Sequence, residues 1–359
     1  MLRFFNGVAP KSNLLRQSTL VLINPTPSSL SRSFSSLSLN VRHSTVSTES
    51  DADRRRALER YGLSKLGLVW PERSSSSVAV DYTNKNPTSV SQMYGAADLS
   101  KLPIFQGGFI NFGYWPNPLA TDGEITLAQR VECSKEMYRV LANLAAIFQT
   151  CSILEIGCGL GYGSTFLSQE YHPKLVVGMD ISPDQIARAK RHQITEVAQG
   201  KLRFAIGEAE SMPFTDHSFD QIISVEAAQH FDSIPAFSKE TIRILKPGGK
   251  LVMTSFFPTT QEGVRALNAI VPDYHIHGSQ NTVEEVEKEF SKHMDKVKVT
   301  SIGENVWEGF SKWLDQIGYN RQWSKIWPAL YEKGLIDYVV YQAEAPHLAP
   351  ASKLQRRAG

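Results

Sequence analysis

The chain has 359 residues, of which 42% are hydrophobic and 21% are charged. This length fits one large or two modest domains, and the composition excludes a disordered chain, a collagen and a coiled-coil rod. No run of about 18 apolar residues occurs, so no membrane-spanning helix is predicted. The net charge of +2 does not indicate a nucleic-acid-binding surface. The three cysteines, Cys133, Cys151 and Cys158, have no spacing typical of a disulfide framework or a zinc site.

The N-terminal segment differs from the rest of the chain in composition. Residues 1–50 contain twelve serines, and five basic residues precede the first acid, Glu49. An Arg-rich, Ser-rich and acid-poor N terminus is typical of an organelle transit peptide. Arg32-Ser33-Phe34-Ser35 resembles a mitochondrial processing site with cleavage before Ser35. We therefore expect a mitochondrial protein; import into plastids, or a cytoplasmic protein with a disordered tail, are the alternatives.

The remaining chain divides into three parts. Residues 51–105 are interpreted as a linker with one or two N-terminal helices, the first from about Asp51 to Tyr61. Pro and Gly residues punctuate the rest of this linker. Residues 106–345 form the main predicted domain, and residues 346–359 are expected to be a disordered tail.

Regular periodicity begins at Thr126, a predicted N-cap for a helix with apolar residues from Leu127 to Phe148. Short apolar runs then alternate with helical segments. The predicted helices span about 162–171, 183–198 and 235–245, and the predicted strands span 152–156, 174–179, 202–206, 221–225, 250–256, 297–302 and 335–343. Strands that alternate with helices predict parallel βαβ units. The fold class is therefore α/β, with a Rossmann-like doubly wound seven-stranded sheet and helices on both faces.

Two further helices are predicted immediately before the last strand, at about residues 304–333. Trp307, Phe310 and Leu314 share a helical spacing, as do Trp323 and Trp327. We interpret this pair as a lid over an acceptor pocket. The alternative is that the aromatic stripe packs on the sheet or on a second subunit.

A glycine-rich turn follows the first predicted strand. Gly157, Gly159 and Gly161 form G-x-G-x-G, whereas the dinucleotide fingerprint requires a glycine at the position of Tyr162. Such a turn lets a ligand approach the backbone closely at a helix N terminus. Glu155, two residues before the first glycine, could accept a hydrogen bond from an ammonium group but would repel a pyrophosphate.

Three later motifs recur in a fixed order. Gly207–Phe214 follows the third strand, Phe219-Asp220 opens the fourth, and Leu245–Gly249 precedes the fifth. Together with Glu155–Gly159, these motifs resemble the class I S-adenosylmethionine-dependent methyltransferases over about residues 105–345. The resemblance implies S-adenosylmethionine as the cofactor. It also implies a donor site; the residues we expect there are Glu155, Gly157, Cys158, Gly159, Asp180, Ile181, Glu208, Ala209 and Val225.

Individual roles follow from the same resemblance. Asp180 ends the second strand, where an acid can accept hydrogen bonds from both ribose hydroxyls. Glu208 and Ala209 are expected near the adenine ring. The family often has Asp at the position of Glu208, so this side chain is one methylene longer than usual.

Two segments resemble the small-molecule branch of the family, namely Gly108–Trp115 and Val225–Phe231. This similarity implies an enzyme that methylates a metabolite or lipid-like acceptor on oxygen or nitrogen. A carbon methyltransferase of lipid or quinone metabolism, and a non-catalytic methyltransferase-like assembly or regulatory protein, are the alternatives.

His230 is the candidate general base, because a neutral imidazole can take a proton from a hydroxyl acceptor. Glu226 is the second candidate, as a base or as a group that orients an amine. Tyr114 and Trp115 could form a wall around the donor or pack in a flap. The H-x-H pair of His275 and His277 is expected to line the acceptor pocket or a loop, because no further metal ligands are evident.

Overall fold

The computed structural model describes residues 51–64, 89–95, 98–116, 123–270, 276–319 and 321–347. These residues contain a seven-stranded sheet. Its strands, in chain order, are β1 (Ser152–Ile156), β2 (Leu175–Asp180), β3 (Leu202–Ile206), β4 (Phe219–Val225), β5 (Leu245–Pro258), β6 (Asp295–Ser301) and β7 (Ile336–Glu344).

The spatial order of the strands is β3-β2-β1-β4-β5-β7-β6. Strands β1 to β5 pair in parallel, and β7 runs antiparallel to both β5 and β6. The order reverses at β1, because β2 lies on one side of it and β4 on the other. The predicted α/β class and the doubly wound seven-stranded sheet are confirmed.

Helices occur on both sides of this sheet in the described residues. They are α1 (Asp51–Arg60), α2 (Val90–Gly95), α3 (Leu127–Ala145), α4 (Tyr162–Tyr171), α5 (Pro183–His192), α6 (Ile194–Ala198), α7 (Ile234–Ile244), α8 (Gln261–Ile270), α9 (Val283–Ser291), α10 (Trp307–Gln316) and α11 (Arg321–Glu332). None of them is long and apolar enough to cross a membrane. Helices α8 and α9 were not predicted from the sequence.

Helix starts follow the capping residues in the sequence. Thr126 and Gln129 form a reciprocal capping box at the start of α3. Ser182 caps α5, and Pro183 occupies its first position, where a missing N–H has no consequence. The predicted helix 183–198 is divided, because the backbone leaves the helical conformation at Gln193.

Strand β5 begins five residues earlier than predicted. Pro247-Gly248-Gly249 was expected to precede the strand, yet Leu245 already pairs with Phe219. The register then shifts before Lys250 pairs with Gln221. The proline and glycines are therefore accommodated as an irregularity within the strand.

Each face of the sheet has its own apolar core because side chains alternate along the strands. Ile153 and Ile223 belong to the cluster that includes Met137 of α3 and the aromatic residues of α10 and α11. Leu154 belongs to the opposite cluster, together with Phe237 of α7. Burial on both faces explains the nearly continuous apolar strands in the sequence.

The aromatic residues of α10 and α11 are buried against the sheet. Trp307 stacks on Trp327 with ring centroids 5.7 Å apart, and Phe310 stacks on Phe112 at 4.2 Å. Tyr338 of β7 makes an edge contact with Trp307 at 5.5 Å. The apolar stripe therefore packs on the sheet, as the alternative expected, and the lid interpretation of residues 304–333 stays a prediction.

The N-terminal helices pack on the main domain. Arg60 of α1 lies 3.6 Å from Glu262 of α8. Arg188 of α5 donates to the carbonyl oxygen of Gly95 at 2.8 Å, at the C-terminal end of α2. The predicted transit peptide, residues 65–88 of the predicted linker and residues 348–359 of the predicted tail lie outside the described residues.

Trp307→Ala is expected to lower the free energy of unfolding by about 3–5 kcal/mol, because it removes a buried ring from the aromatic cluster. Trp307 is 1% exposed. Trp307→Phe should cost less, since most of the apolar contact remains. Urea denaturation measures both variants, with Glu308→Ala on the exposed side of α10 as the control. A loss below about 1 kcal/mol for Trp307→Ala would contradict this packing.

Candidate functional site

A large cavity of the described residues lies at the carboxyl ends of the parallel strands. Its volume is about 1070 Å³, including the space open to solvent at its mouth. Ligands of open α/β sheets bind in this position, beside the point where the strand order reverses. The lining residues are Ser89, Val90, Tyr94, Ile110, Ile156, Gly157, Gly159, Met179, Asp180, Ile181, Gly207, Ala209, Glu210, Val225, Glu226, Ala227, His230, Phe231, Asp232 and His277.

The glycine turn after β1 forms the floor of this cavity. Gly157 has φ 74°, and a Cβ atom on it would lie 2.3 Å from the Cβ of Ala227. A side chain at position 157 would therefore collide with the loop after β4. Cys158 is buried and lines a smaller neighbouring cavity, which also contains Gly157, Gly159 and Val225. Burial raises the pKa of its thiol, so Cys158 is not an activated nucleophile.

Asp180 closes the same turn from the end of β2. Its carboxylate accepts hydrogen bonds from the backbone N–H groups of Gly159 and Ser182, both at 2.9 Å. Burial raises the pKa of Asp180, and these two hydrogen bonds oppose that shift. Ile181 follows with an exposed side chain in the cavity. Asp180, the residue that we predicted to bind the ribose, thus lies beside the glycine turn and next to the apolar side chain of Ile181.

Glu155 is the predicted donor residue whose position differs most from expectation. Its side chain is fully buried and lines neither cavity. Tyr138 of α3 donates to its Oε1 at 2.7 Å, and Ser164 of α4 donates to Oε2. Burial raises the pKa of Glu155 to about 7, although both hydrogen bonds lower it. The physical reason is strand alternation, because residue 155 projects from the face of β1 that α3 and α4 cover.

The loop after β3 presents one predicted residue and one that was missed. Ala209 lines the cavity, whereas the side chain of Glu208 is exposed and does not line it. Glu210 lines the cavity instead, and accepts from the backbone N–H of Asp232 at 2.8 Å. The adenine contact of Glu208 stays a prediction.

Glu226 lies in the loop after β4 with φ 52°, a left-handed conformation that is rare for a non-glycine residue. Its Oε1 accepts from the N–H of Phe112 and from the hydroxyl of Tyr338, each at 2.5 Å. Burial raises its pKa to about 7, and the hydrogen bonds and the charge of Arg130 oppose the rise. Glu226 therefore presents a carboxyl group with a raised pKa to the cavity.

Arg130 of α3 carries the positive charge that acts on the carboxyl group of Glu226. Its guanidinium is fully buried and donates to the carbonyl oxygen of Asn111 at 2.5 Å and to the hydroxyl of Ser134. Burial lowers the pKa of Arg130 to about 10, and Glu226 opposes this shift. These hydrogen bonds fix the segment that contains Ile110, which lines the cavity.

His230 lines the cavity from a short 3₁₀ turn, Ala228–His230. Its Nε2 lies 2.8 Å from the hydroxyl of Tyr94, and the two rings meet edge to face at 5.4 Å. The hydrogen bond fixes the orientation of the imidazole, and its direction depends on the histidine tautomer. An oriented histidine beside a cavity is a candidate general base.

A second histidine lines the cavity near its rim. Nδ1 of His277 lies 2.7 Å from Oδ1 of Asp232, and both residues line the cavity. This placement fits the expectation that His277 lines a pocket or loop. His275 lies outside the described residues. The described part of the chain contains no group of three or more His, Cys, Asp or Glu residues that could hold a metal ion.

Helix α2 contributes residues that sequence analysis missed. Ser89, just before this helix, and Val90 and Tyr94 within it line the cavity, whereas the segment was interpreted as a linker with one or two helices and no site residue was assigned to it. Six residues are too few for a reliable helical periodicity. The aromatic Tyr94 beside Met93 was the available signal. Tyr114 and Trp115 do not line the cavity; Trp115 packs with Ile125 instead, so the flap interpretation applies to it.

Comparisons with known proteins agree with this fold. The family described as a methyltransferase domain matches residues 154–253. A phthiotriol/phenolphthiotriol dimycocerosates methyltransferase of Mycobacterium leprae is 34% identical over 162 residues, which cover 43% of this chain and 56% of that protein. The erythromycin 3''-O-methyltransferase of Saccharopolyspora erythraea is 31% identical over 153 residues, which cover 43% and 47%. The chain thus spans about half the length of these relatives.

A solved structure shares the architecture over a longer range. The geranyl diphosphate C-methyltransferase of Streptomyces coelicolor A3(2), in complex with Mg²⁺, geranyl-S-thiolodiphosphate and S-adenosyl-L-homocysteine, superposes with a TM-score of 0.60. The alignment covers 71% of this chain and 96% of that one at 14% identity, so it shows the fold alone. The sheet order, the glycine turn and the matched methyltransferase domain are together similar to those of the class I S-adenosylmethionine-dependent methyltransferases.

Proposed function

We propose that this chain transfers a methyl group from S-adenosylmethionine to the oxygen or nitrogen of a small, lipid-like acceptor. The observation that carries the proposal is the cavity at the reversal of strand order, in which Gly157, Gly159, Asp180, Ile181 and Ala209 lie together. These residues come from the loops after β1, β2 and β3. The relatives named above are methyltransferases of phthiotriol or phenolphthiotriol dimycocerosates and of erythromycin, as their names state.

The donor would lie along the loops of β1 to β3. Asp180 has acceptor capacity for ribose hydroxyls beside its two backbone contacts. Ile181 and Ala209 offer apolar surfaces on which an adenine ring can pack. The methionine end would lie near Gly157 and the smaller cavity that contains Cys158. Glu155 would contribute indirectly to donor binding, because its hydrogen bonds hold α3 and α4 against the glycine turn.

The transfer itself is a direct displacement. A lone pair on the acceptor attacks the methyl carbon, the carbon–sulfur bond breaks, and its electron pair stays on sulfur to give S-adenosylhomocysteine. The acceptor's proton passes to a base, for which His230 is the first candidate and Glu226 the second. Orientation and exclusion of water supply the rest of the rate enhancement.

The direct test of this function uses methyl-labelled S-adenosylmethionine. The purified chain is incubated with the donor and a metabolite extract from cells that lack the protein. A labelled small molecule that forms only with active protein supports the proposal. Binding of the donor without any labelled product would favour the non-catalytic alternative.

Asp180→Ala should weaken S-adenosylmethionine binding by about 2–4 kcal/mol, because hydrogen bonds to a charged acceptor are lost. Asp180→Asn should lose less, since one acceptor oxygen remains. Calorimetry measures both dissociation constants, and Asp295→Ala at an exposed position of β6 is the control. An unchanged dissociation constant for Asp180→Ala would remove this residue from the ribose contact.

His230→Ala should lower kcat on a hydroxyl acceptor by about 10² or more and barely change donor affinity. The reason is that the proton must leave during the displacement. His293→Ala, an exposed histidine outside the cavity, is the matched control. Near-wild-type turnover of His230→Ala would reduce this histidine to a structural residue and favour Glu226 or proximity alone.

The location of the protein is a separate proposal. The composition of residues 1–50 supports a mitochondrial transit peptide that is cleaved before Ser35. Mass spectrometry of the N terminus from fractionated cells should then find a chain that begins near Ser35 in mitochondria. An intact Met1 in a cytosolic fraction would contradict the proposal.

A further inference from the structure

Helix α2 contacts both sides of the cavity. Its six residues are too few to be stable as an isolated helix, so its position depends on contacts with the rest of the chain. The hydroxyl of Ser91 donates to the carbonyl oxygen of Ile181 at 3.5 Å, on the donor side. The hydroxyl of Tyr94 lies 2.8 Å from Nε2 of His230, on the opposite side. The helix therefore connects the loop after β2 with the loop after β4.

Arg188 of α5 holds the C-terminal end of this helix. Its guanidinium donates to the carbonyl oxygen of Tyr94 at 3.3 Å and to that of Gly95 at 2.8 Å. The last carbonyl groups of a helix have no partner within the helix, and an arginine at that end satisfies them and complements the helix dipole. The guanidinium also donates to Oε1 of Gln185, one turn earlier in α5, at 3.3 Å. These contacts fix its direction.

The start of α5 is the surface on which the end of α2 packs. Helical side chains tilt toward the N terminus of their helix, so Arg188 reaches back toward the N-cap Ser182. A Cβ atom on Gly95 would lie 2.9 Å from Oδ2 of Asp184 and 3.4 Å from the hydroxyl oxygen of Ser182. The absence of a side chain at position 95 thus permits this close approach, and Arg188 secures it.

Arg188 does not line the cavity, so it would act on a reaction there through other residues. Tyr94 and His230 do line the cavity, and their rings meet edge to face at 5.4 Å. Without the contacts of Arg188, the hydroxyl of Tyr94 would have no fixed position relative to the imidazole. A general base must lie within hydrogen-bond reach of the proton that it takes, so a displaced imidazole is a slower base.

We propose that Arg188 is a positioning residue for the candidate base. It anchors α2, and the anchored helix orients the imidazole of His230 through the hydroxyl of Tyr94. This inference rests on the proposed function and adds a residue outside the cavity to the same site. Because α5 follows Asp180 closely, the anchor also connects the base to the donor side of the cavity.

The first test observes the imidazole directly and does not depend on catalysis. The full chain is labelled with ¹⁵N-histidine, and the ring nitrogens of His230 are assigned by comparison with His230→Gln. Arg188→Ala should move these ¹⁵N shifts toward the values of Tyr94→Phe, which lacks the hydroxyl. Arg188→Lys keeps the charge but not the paired donors, so it should give a smaller change in the same direction. Arg191→Ala, an exposed arginine of the same helix, is the matched control and should change nothing.

The second test is a double-mutant cycle. Initial rates of methyl transfer to the metabolite extract are measured at saturating labelled S-adenosylmethionine. Arg188→Ala should lower the rate at least about fivefold in the wild-type chain, and less than about twofold in the His230→Ala background, because both residues act on one step. Calorimetry should find that Arg188→Ala changes the dissociation constant of S-adenosylmethionine by less than about twofold.

Identical ¹⁵N shifts of His230 in Arg188→Ala and the wild-type chain would overturn the proposal. An equal loss of rate with and without His230 would also overturn it, because Arg188 would then act independently of the base. Absence of labelled product from the wild-type chain contradicts the proposed function instead, and the spectra still decide whether Arg188 orients the ring. Thermal melting shows that each variant is folded; if Arg188→Ala is not, Arg188→Lys provides the same comparisons.

Discussion

The reversal of strand order at β1 is the constraint on which the site depends. Parallel strands require crossover helices, and the crossovers on the two sides of β1 leave in opposite directions. The loops after β1 and β2 therefore separate from the loop after β4 and leave a crevice between them. Gly157, Asp180 and Val225 meet in this crevice because each stands at or just beyond the carboxyl end of its strand.

Buried polar contacts hold the loops around this crevice in place. Glu155 joins α3 and α4 beneath the glycine turn, and Glu226 joins Phe112 to Tyr338 across the sheet. Each of these carboxyl groups accepts two hydrogen bonds, which partly offsets the cost of its burial. The same burial raises the pKa of both groups to about 7. Polar groups thus organise a cavity whose walls are otherwise mainly apolar.

Sequence analysis predicted the sheet well because strands buried on both faces are nearly continuous runs of apolar residues. The cavity residues Gly157, Asp180 and Ala209 were also predicted, since they occupy fixed positions after strands. The role of Glu155 could not be derived in this way. Its contacts are with Tyr138 of α3 and Ser164 of α4, and the sequence does not show that these helices pack against β1 at this point.

The other differences between the sequence analysis and the structure also arise from tertiary contacts. The aromatic spacing of Trp307 and Trp327 predicted helices correctly but did not specify whether they cover the sheet or the cavity. Tyr94 reaches His230 over 136 positions of the chain, and a six-residue helix carries too little periodicity to predict such a contact. Short segments that pack through one or two side chains are therefore identified only when the tertiary structure is known.

The most direct measurement for this account is calorimetric titration of the purified chain with S-adenosylmethionine and, separately, with NAD⁺. Both ligands contain adenosine and could use the acid at the end of β2, so the comparison tests the glycine turn and the shape of the cavity. The account predicts saturable binding of S-adenosylmethionine and no binding of NAD⁺ at comparable concentrations. Tight binding of NAD⁺ without binding of the methyl donor would contradict it.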